Sequence, residues 1–358
     1  MENLKSDFLH GIEKKIRGGE RLSFEDGIAL FQSTDILSIG RMANEVRQRS
    51  HGRRAFYAVN LHMNPTNICS TRCEFCAFSR DAGAPDAYAL TLDEIEQRVS
   101  DAIARWQINE IHIVGGHNPA LGFDYYLEMI RRIRRLDGKI FIKAFSAPEI
   151  DYLAKRSGFA SEKVLKGLKE SGLNGMPGGG AEIFDPEVRR KICPDKINAE
   201  EWLNIHKTAH GLGIKTNATL LYGHIETAEQ RVAHLLKLRD LQAETGGFNA
   251  FVPLAYNPRK GTVPSTSGFL DLKMISISRL LLDNIPHIKA HGSATDLKFI
   301  QTTLSFGADD MGGTNLQERV MHEAGSRSQE GLSSEDFIRC IKDAGYEPCL
   351  VDSSYSIQ

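Results

Sequence analysis

Cys69, Cys73 and Cys76 stand together in the stretch Met63-Asn64-Pro65-Thr66-Asn67-Ile68-Cys69-Ser70-Thr71-Arg72-Cys73-Glu74-Phe75-Cys76. Thiolates at this spacing are ligands for a soft metal centre. Three of them would leave one iron of a [4Fe-4S] cube without a protein ligand, whereas electron-carrying clusters use four cysteines. An open iron can bind a small molecule. The competing chemistries are a structural zinc, with His62 or His117 as fourth ligand, and a redox dithiol. Cys193, Cys340 and Cys349 show no ligand spacing and are expected as buried thiols.

Other polar and glycine-rich segments stand where apolar runs end. Gly115-Gly116-His117 follows Ile111-His112-Ile113-Val114, and glycines there let backbone atoms approach a ligand that a side chain would block. For His117 itself a ligand contact and a simple turn are both open. In Met176-Pro177-Gly178-Gly179-Gly180-Ala181-Glu182 the three glycines remove side-chain bulk, and Glu182 offers a carboxylate suited to a ribose diol or an ammonium. Asn217 and Thr219 alternate along one apolar run, so both point to the interior, where polar groups have partners or ligands. Glu226, in Tyr222-Gly223-His224-Ile225-Glu226-Thr227, is either a site carboxylate or a helix N-terminal charge. Val252 and Leu254 lead into Asn257 and Arg259, the latter able to bind a carboxylate bidentately. Ser293 and Asp310, with His291, Asp309 and His322, lie in later loops that can reach the same mouth.

The elements that must position these groups alternate. Strands are expected near Phe56-Leu61, Glu110-Val114, Lys139-Ala144, Lys215-Leu221, Phe248-Leu254, His287-Ala290 and Thr302-Phe306. Helices between them carry capping boxes at Thr91-Leu92-Asp93-Glu94, Asn198-Ala199-Glu200-Glu201 and Thr227-Ala228-Glu229-Gln230. Ile95, Val99, Ala102 and Trp106 recur at helical spacing and are expected to pack on the sheet. The fold class is therefore α/β, with three segments: a helical extension over 1–52, a barrel over 53–320 and a C-terminal extension over 321–358 packed on it. The chain has 358 residues, 41% of them hydrophobic, which suffices for one large core. Forty-four basic against 46 acidic residues argue against capture of nucleic acid or of an anionic membrane. No signal peptide or bilayer-length apolar run is present, so a cytoplasmic protein with a small-molecule partner is expected.

The spacing of the cysteines, with Phe75 before the last, is similar to the signature of the radical S-adenosylmethionine (SAM) superfamily. That resemblance implies a partial or complete (β/α) TIM-like barrel, a [4Fe-4S] cluster on Cys69, Cys73 and Cys76, and SAM chelated at the open iron. It also implies one-electron cleavage of SAM to a 5′-deoxyadenosyl radical. Phe75, Gly115, Gly116, Glu182, Asn217, Thr219, Glu226, Val252 and Leu254 are the SAM contacts it suggests. Where many members carry an acidic residue after the two glycines, this chain has His117. The wider set of motifs, from Asn64-Pro65-Thr66-Asn67 to Leu304-Ser305-Phe306-Gly307-Ala308-Asp309-Asp310, resembles the aminodeoxyfutalosine synthases of the futalosine route to menaquinone. The cyclic dehypoxanthine futalosine synthases are a close second, and a non-catalytic iron–sulfur or zinc module is the alternative of another class. The first resemblance implies that SAM is a co-substrate whose radical adds to 3-[(1-carboxyvinyl)oxy]benzoate, an aromatic dicarboxylate enol ether. Two carboxylates must then be held, for which His117, Arg80, Asn257, Arg259, Ser293 and Asp310 are candidates. A flavodoxin or ferredoxin is the implied reductant, and no proton-transfer residue is assigned.

Overall fold

The structure, a computed structural model, describes residues 2–257, 265–290, 296–324 and 332–357. Three helices come first: α1 (Glu2–Gly18), α2 (Phe24–Gln32) and α3 (Ile36–His51). Local side chains start two of them. Ser23 and Asp26 form a capping box on α2, and Asp35 accepts the Ser38 N–H at the start of α3. Leu30, Ile39 and Met42 are buried, joining these helices to the main core.

The chain then alternates strand and helix. Its elements are β1 (Arg54–Ala58), β2 (Asn60–Met63), α4 (Leu92–Trp106), β3 (Glu110–Ile113), α5 (Phe123–Leu136), β4 (Phe141–Ala144), α6 (Ala147–Ser157) and α7 (Ser161–Ser171). There follow β5 (Gly175–Met176), α8 (Pro186–Ile192), α9 (Ala199–Gly211), β6 (Lys215–Tyr222), α10 (Ala228–Thr245), β7 (Phe248–Ala255), α11 (Gly268–Leu281) and β8 (His287–Ile288). The last are α12 (Leu297–Thr303), β9 (Asp310–Gly313), α13 (Val320–Glu323), α14 (Ser334–Asp343) and β10 (Glu347–Leu350).

Strands β2 to β8 make one parallel sheet in sequence order, and β10, β1 and β9 make a second. Hydrogen bonds between the two close the ring. Ala290 N–H donates to Asp310 O (2.8 Å), and Asp309 N–H donates to Ile288 O (3.2 Å). His62 N–H donates to Leu316 O (2.8 Å) on the far side of the same seam. The expected run Phe56–Leu61 is thus one bent strand whose halves serve different sheets, breaking at Val59, where the N–H turns to Asn109 Oδ1 (3.1 Å). The stripe Ile95, Val99 and Ala102 is wholly buried, while Trp106 is half-buried under Arg105. All three expected capping boxes are present.

One expected strand is a helix. Residues 302–306 continue α12 and then tighten into a short 3-10 turn, because Asp296 caps the segment through the Phe299 N–H and Ile300 and Leu304 bury one helical face. Gly307, at φ 102°, ends it, and the last barrel strand is Asp310–Gly313. The thiols also differ from expectation: Cys193 is buried, but Cys340 and Cys349 are only partly so.

The C-terminal segment caps the N-terminal end of the ring. Here β10 pairs with β1, Ser353 N–H donates to Glu110 Oε2 (2.7 Å), and the Tyr355 ring stacks on His287 (3.4 Å between centroids). Among the described residues, no helix is long and apolar enough to cross a membrane.

Candidate active site

The cysteine loop leaves the C-terminal end of β2, where parallel barrels place their chemistry. Buried polar residues fix its course. Asn64 Nδ2 donates to Val114 O (2.8 Å), Thr66 Oγ1 to Tyr88 O (2.7 Å) and Asn67 Nδ2 to Asp86 O (2.9 Å). Cys69 N–H donates to Arg80 O (3.1 Å), and Cys76 N–H to Cys73 O (3.1 Å) in a tight turn. All three cysteines are half-buried, stand outside any disulfide, and face one cavity of about 370 Å3.

Against this loop lies Gly115-Gly116-His117. A Cβ on Gly116 would come within 2.2 Å of Ile68 O, so the approach is open only to glycine. His117 N–H points at Cys69 Sγ (3.3 Å), and the His117 ring bonds through Nδ1 to Thr71 Oγ1 (2.7 Å) and stacks on Tyr152 (4.7 Å between centroids). Burial, aided by the nearby Lys196 charge, drops the His117 imidazole to about 4, so it is neutral. Gly115 N–H donates to Glu149 Oε1 (3.0 Å), while Glu149 Oε2 accepts the Ser146 N–H (2.8 Å) and hydroxyl (2.6 Å). One carboxylate therefore starts α6 and anchors the glycine loop.

Opposite, Gly178 packs against the backbone of β6, where an added Cβ would meet Ala218 C and Asn217 O at 2.7 Å. Thr219 Oγ1 donates to Gly178 O (2.6 Å), so Thr219 fixes the glycine segment while also facing the cavity. Glu182, held at φ 45°, pairs with Lys196 Nζ (2.5 Å). Burial alone would depress the Lys196 ammonium, but Glu182 and Cys73 outweigh it and hold it above its ordinary value. Burial pushes the Cys73 thiol up to about 12, with Lys196 opposing. A lone thiolate is unfavourable there, and a bound metal supplies the charge that keeps such a thiol ionised.

Of the residues singled out from sequence, Phe75, Gly115, Gly116 and His117 line the cavity with the cysteines, as do Glu182, Asn217, Thr219, Val252, Leu254 and Asn257. Three do not. Glu226 turns onto its own loop, accepting the N–H groups of Gly223 (2.6 Å) and His224 (2.9 Å) and the Arg231 guanidinium (2.6 Å). Arg80 bonds Asp86 (2.7 Å), Glu323 (3.1 Å) and Ala77 O (2.7 Å), which makes it a brace of the cysteine loop. Asp310 lies behind Lys289, bonded to its Nζ (3.0 Å) and to Tyr355 Oη–H (2.6 Å). Arg259, Ser293 and His291 lie outside the described residues. Sequence reading missed Glu149, Lys196, Lys143 and Lys289, all of which line the cavity. The signals were there: Ser146-Ala147-Pro148-Glu149 is a capping box, and Phe141-Ile142-Lys143-Ala144 and His287-Ile288-Lys289-Ala290 each put one lysine in a buried strand.

The donor set fits an iron–sulfur cluster and a bound SAM: three thiols from one loop, glycine segments at contact distance, and carboxylate and amide groups around one cavity. Residues 63–238 match the Radical SAM superfamily, and residues 245–358 match the CofH/MqnC C-terminal region. The aminodeoxyfutalosine synthase of Thermus thermophilus is 43% identical over 99% of this chain and 97% of its own length. The 5-amino-6-(D-ribitylamino)uracil–L-tyrosine 4-hydroxyphenyl transferase of Methanopyrus kandleri is 40% identical over 89% of each chain. The crystal structure of methylornithine synthase superposes with a TM-score of 0.74 at 18% identity, covering 96% of this chain and 98% of that one, a likeness of fold. The chain therefore belongs to the radical SAM superfamily of [4Fe-4S]- and SAM-dependent enzymes, in the family that includes the aminodeoxyfutalosine synthases.

Proposed function

We propose that this enzyme is an aminodeoxyfutalosine synthase. It joins the 5′-deoxyadenosyl group of SAM, with release of methionine, to the terminal alkene carbon of 3-[(1-carboxyvinyl)oxy]benzoate, and the radical adduct rearranges, loses carbon dioxide and gives up one electron, which the cluster can accept, to yield 6-amino-6-deoxyfutalosine. The observation that carries this reading is the 43% identity to the Thermus thermophilus synthase along nearly the whole of both chains. Bound at Cys69, Cys73 and Cys76, the cluster and SAM supply the 5′-deoxyadenosyl radical, the electron coming from a flavodoxin or ferredoxin.

The chain's own residues then do four things. Gly116 and Gly178 let their segments seat directly on the cysteine loop and on β6, which shapes the walls that face SAM. Glu182 and Asn217 present polar atoms to its ribose and ammonium groups. Val252 and Leu254 offer an apolar wall for the adenine. Together the walls hold the alkene beside C5′ and exclude water, and proximity and dryness decide which radical reaction occurs.

The 40% identity to the archaeal transferase favours a second reading, in which the substrates are L-tyrosine and 5-amino-6-(D-ribitylamino)uracil. Parallel anaerobic incubations separate the two. The reduced holoenzyme with SAM should consume the enol-ether benzoate and leave the tyrosine and uracil pair untouched; the reverse pattern refutes the proposal.

A further inference from the structure

The cavity does not end at SAM's walls. It runs down the barrel interior to a floor whose side chains come from opposite strands. His62, His112 and Lys143 are register neighbours on β2, β3 and β4, so their side chains share one inward layer. The rings of His62 and His112 stack at 4.7 Å and 4°. Lys289, just past β8, completes the floor from the other side.

Below this layer the charges are compensated. Lys143 Nζ donates to Glu110 Oε1 (2.6 Å) and Ser353 Oγ (2.8 Å). Lys289 Nζ pairs with Asp310 Oδ2 (3.0 Å). The carboxylates are themselves pinned from beneath: Glu110 by the Ser353 N–H (2.7 Å), Asp310 by the Tyr355 hydroxyl (2.6 Å) and the Gly312 N–H (2.6 Å). Asp310 thus sits behind Lys289 on the side of the C-terminal tail, and Glu110, which also lines the cavity, has its two oxygens taken by Lys143 and Ser353. An ammonium has three donor positions, and among the described residues Asp310 is the one acceptor within bonding distance of Lys289. Burial opposes the charge on Lys289, but Asp310 and Glu110 outweigh it and keep the ammonium protonated. A fixed, charged donor at the bottom of an otherwise mainly apolar cavity suits one end of an anionic aromatic ligand.

We propose that this floor is a carboxylate subsite, in which Lys289 receives a carboxylate of the substrate with Lys143 and the His62–His112 pair beside it. The subsite rests on the reading of the substrate as an aromatic dicarboxylate, and it orients the molecule: one carboxylate lies at the floor, and the alkene is directed up toward the cysteine loop.

The test is calorimetric binding of 3-methoxybenzoate and of its neutral counterpart, 3-methoxybenzamide, to the reconstituted holoenzyme with SAM, together with steady-state kinetics on the enol-ether benzoate. The wild type should bind the benzoate at least about tenfold more tightly than the amide. Lys289→Met leaves Asp310 buried without its cation and can fail to fold, so the Lys289→Met/Asp310→Asn double variant is the deciding protein. With its iron content intact, it should lose that preference and show a KM for the enol ether raised about tenfold or more, with the KM for SAM unchanged. A retained preference in the folded double variant overturns the subsite. So does a matching rise in the KM for SAM, which would place SAM's own carboxylate on Lys289. A wild type that binds the benzoate through Lys289 yet does not convert the enol ether refutes the reaction assignment and leaves the subsite standing.

Discussion

Replacing Gly116 with alanine probes how closely the glycine loop must approach the cysteine loop. An added Cβ would lie 2.2 Å from Ile68 O, 2.7 Å from Ile68 C and 3.0 Å from Cys69 Cβ. The first contact is roughly 1 Å inside ordinary van der Waals distance. All three atoms belong to the backbone or to a cluster ligand, so no flexible side chain can give way. Retreat is also restrained, because Gly116 N–H donates to Thr66 O (2.9 Å), Ser70 N–H to His117 O (3.0 Å) and His117 N–H to Cys69 Sγ (3.3 Å). Overpacking of this kind costs about 1–3 kcal/mol, or about 5- to 150-fold in the population with both loops in place. Gly115→Ala is the matched control, since its Cβ would meet Thr66 O at 3.3 Å and Pro65 Cδ at 3.4 Å, close to normal contact. After anaerobic reconstitution, iron per chain and 5′-deoxyadenosine formation are measured for both. Gly116→Ala should form 5′-deoxyadenosine at least about tenfold more slowly, and Gly115→Ala should stay within about threefold of wild type. Full iron and unimpaired SAM cleavage in Gly116→Ala, or equal losses in both variants, would refute the steric argument.

Three other substitutions test separate parts of the account. Glu182→Gln should raise the KM for SAM about tenfold while iron incorporation persists; a fall in melting temperature with an unchanged KM would confine Glu182 to its pair with Lys196. Glu149→Ala removes the α6 capping partner and orphans the part-buried Gly115 N–H, so urea unfolding should show a loss of about 2–3 kcal/mol. Asp309→Asn breaks a buried cluster with Arg279 and His287 and should cost about 3–5 kcal/mol. Burial raises the Asp309 carboxyl, but Arg279 and His287 outweigh it and hold the group well below the usual carboxylate range. Its contribution is therefore complete above about pH 4 and is lost as the pH falls further, so acid should lower the melting temperature of the wild type more than that of the variant.

Chemistry was more legible in this sequence than exact geometry. Cys69, Cys73 and Cys76 announce their site because ligand spacing is local, and the capping boxes at Thr91, Asn198 and Thr227 are equally local. Long apolar runs such as Lys215–Tyr222 and Phe248–Ala255 read directly as strands. The barrel's seam was harder. β5 has two residues, and β9 is Asp-Met-Gly-Gly, a composition depleted in strands, which forms because β1 and the Lys289 bridge pair with it. The segment 302–306 reads as a strand from its apolar content, yet the cap at Asp296 sets a helical period that brings Ile300 and Leu304 to one face. Arg80 was chosen for its charge, but partners close in sequence and at Glu323 claim it. Lys143, Lys289, Glu110 and Ser353 meet across up to 243 positions of sequence, a separation over which no local pattern operates.

The central claim is that SAM's adenosyl carbon becomes part of the product. SAM labelled with carbon-13 at C5′, incubated with the reduced enzyme and the enol-ether benzoate, tests it directly by mass spectrometry. The account predicts the label in one new molecule in which the adenosyl group is joined, through the former vinyl carbons, to the intact benzoate after loss of one carbon dioxide. Recovery of the label only as free 5′-deoxyadenosine would contradict it.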